Sequence, residues 1–317
     1  MMNSLIEFWQ DPNSRWIMFG CMLLGLSNGV IGSFSYLRKQ SLLGDTLAHA
    51  ALPGICISFL LTGTKSVGLF LVGALVAGVI ATFGIQWITK YSRIKQDTAM
   101  GIVLSFFFGI GIVLLTKIQH SGSGSQSGLD KYLFGQAASM VMEDVHLMMG
   151  VSLLLIIICY FLFKEFKLIS FDAGFARGMG LPVGLLEQML LFLTVVAVVV
   201  GIQAVGVVLV AALLITPAVT ARFWTDRLSV MVVLSGIIGA LSGIMGTFFS
   251  STVSNLPTGP VAVLVASSLF VVSALAAPRR GWVSKWLRQY KMRSSYRDVK
   301  GSTVQHRELE VEKGRGI

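Results

Sequence analysis

Nine apolar blocks follow one another along the chain, at about 16–36, 41–61, 66–89, 97–116, 143–163, 186–202, 204–220, 228–249 and 260–277. A helix needs about 20 residues to cross about 30 Å of hydrocarbon, and most of these blocks approach or exceed that length. Several are apolar on every face, whereas a helix of a water-soluble protein keeps one polar side. The pattern predicts an all-α, polytopic transmembrane bundle of about nine spans. Residues 186–220 are too long for one ordinary span and short for two, so they read as a hairpin of short helices with its bend between Gly201 and Gly206; one long span there would make eight.

Composition agrees with this pattern: of 317 residues, 54% are hydrophobic and 13% charged. Charge then orients the bundle. With nine spans the termini lie on opposite sides, and basic residues collect in cytosolic loops. If the C-terminus is cytosolic, that side holds ten basic residues between Arg38 and Arg227 and eleven more after Ala277, and the outer side keeps Arg15, Lys65, Lys117 and Lys131. The net charge of +10 is thereby a topological signal, which anionic lipid and a cytosolic protein partner satisfy without nucleic acid. Glu7 and Asp11 precede the first apolar block in place of a basic region, so no cleavable signal peptide is expected. Cys21, Cys56 and Cys159 all fall within spans, which argues against a disulfide framework.

The spans define three regions: an outer segment 1–15, a membrane domain 16–278 and a cytosolic tail 279–317. In the tail, Trp282, Trp286 and Tyr290 alternate with Lys285, Arg288 and Lys291 at helical spacing, the pattern of an amphipathic helix at the inner surface. Residues 117–142 form an outer loop with a Gly/Ser run, flanked by His120 and His146, which read as incidental surface histidines. The cytosolic stretch 164–187 is long for a simple connection and holds Asp172, Arg177, Gly178 and Gly180; it reads either as a plain loop or as a short surface helix that docks another protein. Ser235, Gly239 and Gly243 repeat every fourth residue, which permits close helix packing within one subunit or between two.

Asp45 and His49 stand out against this background. Ionisable groups inside a membrane are costly and by default mark an ion or proton path. If the second span starts near Ser41, the two lie about 6 Å and about 12 Å deep, on one helical face. A carboxylate and a neutral imidazole suit Mn²⁺, Fe²⁺ or Zn²⁺ better than Ca²⁺ or Mg²⁺. A structural pair and a proton relay explain the same two residues. Cys56, seven residues on and on nearly the same face, is either a softer ligand or a small buried hydrophobe. Asn28, Thr216, Asn255 and Thr258 are further polar positions that could line a cavity.

The stretch Gly44-Asp-Thr-Leu-Ala-His-Ala-Ala-Leu-Pro-Gly54 resembles the first signature of permease subunits in ATP-binding-cassette importers for manganese, zinc and iron, the metal-uptake (ABC-3) family. Residues 206–221 are similar to that family's second signature, and Leu256-Pro-Thr-Gly-Pro260 to a third element. Thr46 stands where alanine is common and Asn255 where aspartate is frequent; both are candidate pathway residues. The resemblance, closest to manganese permeases, implies a type II importer-like permease in a bacterial plasma membrane, with Asp45 and His49 as metal ligands. It also implies a second permease copy, a cytosolic ATP-binding-cassette ATPase that binds the ATP, and an extracellular metal-binding lipoprotein. The ATPase would dock on a coupling helix at about 170–182, through Asp172, Ala173, Ala176, Arg177, Gly178, Gly180 and Leu181. No cofactor is expected beyond the transported divalent metal, and no enzymatic activity: the chain lacks a Gly-x-x-x-x-Gly-Lys-Ser/Thr phosphate-binding loop. An ion-driven secondary transporter or channel is the alternative class. An intramembrane metalloprotease is disfavoured, since there is no His-Glu-x-x-His sequence.

Overall fold

A computed structural model describes residues 12–63, 66–120, 135, 140–252, 256–277 and 281. Eleven helices account for nearly all of them: α1 (Pro12–Leu37), α2 (Leu43–Thr62), α3 (Val67–Tyr91), α4 (Gln96–His120), α5 (Met142–Phe161), α6 (Phe163–Phe171), α7 (Ala173–Gly178), α8 (Val183–Val205), α9 (Val207–Trp224), α10 (Leu228–Thr252) and α11 (Thr258–Ala276). Nine of these, all except α6 and α7, are long and apolar enough to cross a membrane. The expected all-α bundle is observed, and every predicted block has its helix.

Small residues set the centre of the bundle. Helix α1 packs against α10, α9, α5 and α8. A Cβ on Gly25 would run into the carbonyl of Gly239, one on Gly29 into that of Ser235, and one on Gly243 into that of Cys21, so α1 and α10 touch backbone to backbone. The Ser235 hydroxyl donates to the Gly29 carbonyl at 2.7 Å and closes the contact. The repeat of small residues in α10 therefore serves packing within one subunit.

The hairpin at 186–220 is more economical than its sequence predicts. Both helices are longer than expected, and the reversal falls on one residue, Gly206, at φ 92. A Cβ is strained at that angle, so glycine is required. Gly201 lies inside α8 and does not bracket the bend; it makes room for Val210 and Asn28 instead.

Polar groups in the span helices are mostly absorbed locally. Ser27 donates to the Leu24 carbonyl at 2.9 Å and Ser33 to that of Gly29 at 3.0 Å. Thr258 is buried against Ser250, 3.0 Å away. Asn28 is wholly buried, and its amide has no partner among the described residues. The three cysteines are free and buried. Helix α4 extends to His120, so the outer connection begins later than the sequence reading places it. Residues 1–11 of the outer segment and the expected amphipathic tail helix lie outside the described residues.

Candidate functional site

Asp45 occupies the first turn of α2, where the free backbone N–H groups favour a negative charge. His49 follows one turn later, with its Nε2 3.4 Å from Asp45 Oδ1. That is longer than a good N–H···O bond, so the two polar groups lie side by side without closing on each other. The Asp45 side chain is 40% exposed and that of His49 19%. The edge of Phe108 from α4 holds the imidazole, at 4.8 Å between ring centres, and His49 Nδ1 is buried with no partner among the described residues.

Pro53 adds a backbone effect to this site. It stands inside α2, four residues after His49, and has no N–H to give to the His49 carbonyl. That carbonyl cannot receive its intrahelical hydrogen bond. A carboxylate, an imidazole and a released carbonyl oxygen thus share one stretch of helix.

The neighbouring candidates differ from this pair. Thr46 is fully buried; its hydroxyl donates to the Leu42 carbonyl at 2.9 Å and reaches that of Met100 at 3.4 Å, so it bonds the preceding turn and ties α2 to α4. Cys56 is also fully buried, its sulfur 4.0 Å from the Gly111 carbonyl, in a contact between α2 and α4. Asn255 lies outside the described residues. His120 and His146 bond back to their own helices, through Nδ1, at the carbonyls of Thr116 and Met142. No group of three His, Cys, Asp or Glu side chains with metal-binding geometry occurs among the described residues.

The three sequence elements singled out above are linked through α9 and the turn before it. A Cβ on Gly44 would press on Leu214 and Ala211 of α9, which joins the first element to the second. One on Gly259 would meet the backbone of Val205 at the α8–α9 turn, which joins the third. Only glycine lets these helices approach so closely.

At the other end of the bundle, the connection between α5 and α8 is folded. Helix α6 buries Phe166 and Ile169, with Phe166 and Phe163 edge-on to Phe34 of α1. Asp172 then caps α7 by accepting from the Phe175 N–H at 2.8 Å. The helix closes with Leu181 N–H donating to the Ala176 carbonyl at 3.1 Å, past Gly180 at φ 82. Ala176 is buried, while Arg177, Gly178 and Gly180 are exposed and Ala173 and Leu181 half-buried. Three apolar residues at four-residue spacing, Phe171, Phe175 and Met179, are 62%, 59% and 61% exposed. Phe171 ends α6, Phe175 lies in α7 and Met179 follows it, so these exposed apolar side chains sit on either side of the helix break at Asp172, and sequence reasoning missed them.

One further contact spans the same end. Arg38, in the turn between α1 and α2, donates from Nη2 to Glu187 Oε1 of α8 at 2.8 Å, and its Nη1 is buried without a partner among the described residues. The pair fixes the turn from which the Asp45 helix starts.

Known proteins share this arrangement. The chain is 53% identical over 293 residues to the manganese transport system membrane protein MntC of Bacillus subtilis, covering 92% of this chain and 67% of the relative. It is 43% identical over 280 residues to the zinc transport system membrane protein TroC of Treponema pallidum, covering 88% and 94% respectively. Among solved structures, PsaBC from Streptococcus pneumoniae in complex with Fab matches 92% of this chain and 100% of its own, with a TM-score of 0.78 and 32% identity. The profile of the ABC 3 transport family matches residues 10–277, from the start of α1 to the end of α11, and the chain belongs to that family.

Proposed function

We propose that this chain is the membrane-spanning permease of an ATP-driven importer of divalent transition metal, with manganese as its substrate and Asp45 and His49 as ligands along the path. The observation that carries the reading is the open pair on α2. Its two polar groups lie next to each other, partly exposed, in a helix where the Thr46 and Thr62 hydroxyls are absorbed by backbone. The released His49 carbonyl is a third oxygen or nitrogen donor on the same helix, a set that suits Mn²⁺. Cys56 is turned into the α2–α4 contact and takes no part. Thr46 supports the geometry from behind.

Two side chains make half a site. A second copy of the permease completes it, with α2 and α4 facing their counterparts. The exposure of Phe171 at the end of α6, Phe175 in the capped α7 and Met179 just after it supports the coupling role of residues 170–182: exposed apolar side chains there are what a cytosolic ATPase would cover. In this reading the C-terminus and tail 279–317 are cytosolic and the N-terminus is outside, in the plasma membrane, where a metal-binding lipoprotein delivers the ion. Manganese is supported by the Bacillus subtilis relative; the Treponema pallidum relative makes zinc the second reading.

The test is uptake of radioactive Mn²⁺, Zn²⁺ and Fe²⁺ by cells carrying the whole transporter, with wild type, Asp45→Ala and His49→Ala at matched membrane levels. Manganese uptake lost in both variants is the expected result. Normal uptake in both would return the pair to a structural role, and uptake that survives an inactivated ATPase would make the protein a secondary transporter or channel.

A further inference from the structure

A second site lies on the opposite side of α1 from the ion path. A groove of about 660 Å³ opens between α5 and α10, and α2, α3 and α4 contribute nothing to it. Leu26 and Val30 of α1 form its floor, Ile156 one wall, and Val233 and Ile237 the other. Gly236 deepens it, because the space a side chain would take there is bounded only by the side chains of Val30 and Leu26.

Polarity along the groove is graded. Lys164, its only charged residue among the described residues, and Ser229 both line it at one end, where α6 and α10 begin. Away from that end the lining is apolar. From Ser229 to Ile237 the wall descends eight residues, about 12 Å at the helical rise. One leaflet of a bilayer core is about 15 Å deep, half of about 30 Å. Lys164 is exposed and makes no ion pair among the described residues.

We infer that this groove binds one anionic phospholipid, with an acyl chain against Leu26, Val30 and Gly236 and the phosphate at Lys164. An amphiphile fits because the groove is itself amphiphilic: a cationic, hydroxyl-bearing mouth at a helix terminus above an apolar trough one leaflet deep. A groove inside hydrocarbon does not stay empty, since its lining would lose dispersion contacts. The lone lysine selects a negative headgroup over a zwitterionic one.

Native mass spectrometry of the whole purified transporter, titrated with phosphatidylglycerol and with phosphatidylcholine of the same chains, tests the assignment. Wild type is expected to retain phosphatidylglycerol preferentially, one per permease chain. Lys164→Ala lowers that preference about fivefold, the weight of one lysine near a membrane surface. Gly236→Leu, which fills the trough, removes both lipids; Val233→Trp at the rim provides the same test should the leucine variant not fold. Equal retention of the two lipids by wild type would overturn the headgroup assignment. Binding unchanged in the two groove-filling variants would assign the lipid to the general annulus, and a wild type that retains none would leave the groove to the chain's own tail or a second copy.

Discussion

Helices α1 and α2 are buried alike: in each, 72% of the most apolar 18-residue stretch lies inside the protein. They use that burial differently. In α1, Asn28 and Ser35 are buried without a partner among the described residues, Ser27 and Ser33 turn their hydroxyls onto their own helix, and glycines bring the backbone of α10 into contact. In α2, Thr46 behaves in the same way, but Asp45 and His49 face each other across a gap and stay partly exposed. A hydroxyl can be satisfied by the carbonyl one turn back, whereas a carboxylate, which only accepts, cannot use that carbonyl. The comparison teaches that membrane polarity is informative when it remains unabsorbed.

The largest expected effect falls on the open side. Replacing both Asp45 and His49 by alanine should lower metal uptake at least about 100-fold, more than the loss of an outer-shell partner at a metal site, with little change in thermal unfolding of the purified protein. A loss of stability as large as the loss of uptake would erase the contrast with α1. On the closed side the pattern reverses. Gly239→Leu should destabilise by about 3 kcal/mol or more, since its side chain meets a backbone carbonyl. The readout is the unfolding temperature in detergent, and a stable Gly239→Leu protein would show that α1 and α10 are free to separate.

Between the two stands the Arg38–Glu187 pair. It is mostly buried at Arg38, and Arg38→Ala should cost about 2 kcal/mol by leaving Glu187 alone in a half-buried position. Arg38→Glu combined with Glu187→Arg should recover at least half of it in the same unfolding measurement; no recovery would mean that packing, and not charge, is what matters there. The smallest effect is Cys56→Ala, which should leave metal affinity within about twofold because the thiol serves as a small buried hydrophobe. A drop in Zn²⁺ affinity with Mn²⁺ unaffected would bring Cys56 back as a ligand.

Span count and helix type were legible because apolar length is a direct record of membrane thickness. The Asp45–His49 pair was legible too, since two ionisable residues one turn apart have few cheap explanations in a span. What could not be read was anything that depends on the partner helix. The repeat at Ser235, Gly239 and Gly243 was visible, and Gly25 and Gly29 have the same four-residue spacing some two hundred residues away, yet nothing in the sequence says that the two face each other. Arg38 and Glu187 were each ordinary loop-end charges until the fold brought them together. The bend at Gly206 was misjudged by one glycine: both candidates had the freedom for it, and only the packing of Gly201 against Asn28 and Val210 decides between them. The exposure of Phe171, Phe175 and Met179 was not legible either, because it depends on the helix break at Asp172 and not on their four-residue spacing.

The backbone contact between Gly25 and Gly239 has a genetic consequence. A clash between a side chain and a carbonyl cannot be relieved by trimming the opposite residue, because glycine has nothing left to remove. A search for suppressors of Gly239→Leu should therefore return changes at position 239 itself and none at Gly25, while one begun from Arg38→Glu has a partner able to answer at Glu187. Along α1 the route open to evolution is narrow not because the helix does chemistry, but because its neighbour has no smaller residue to offer.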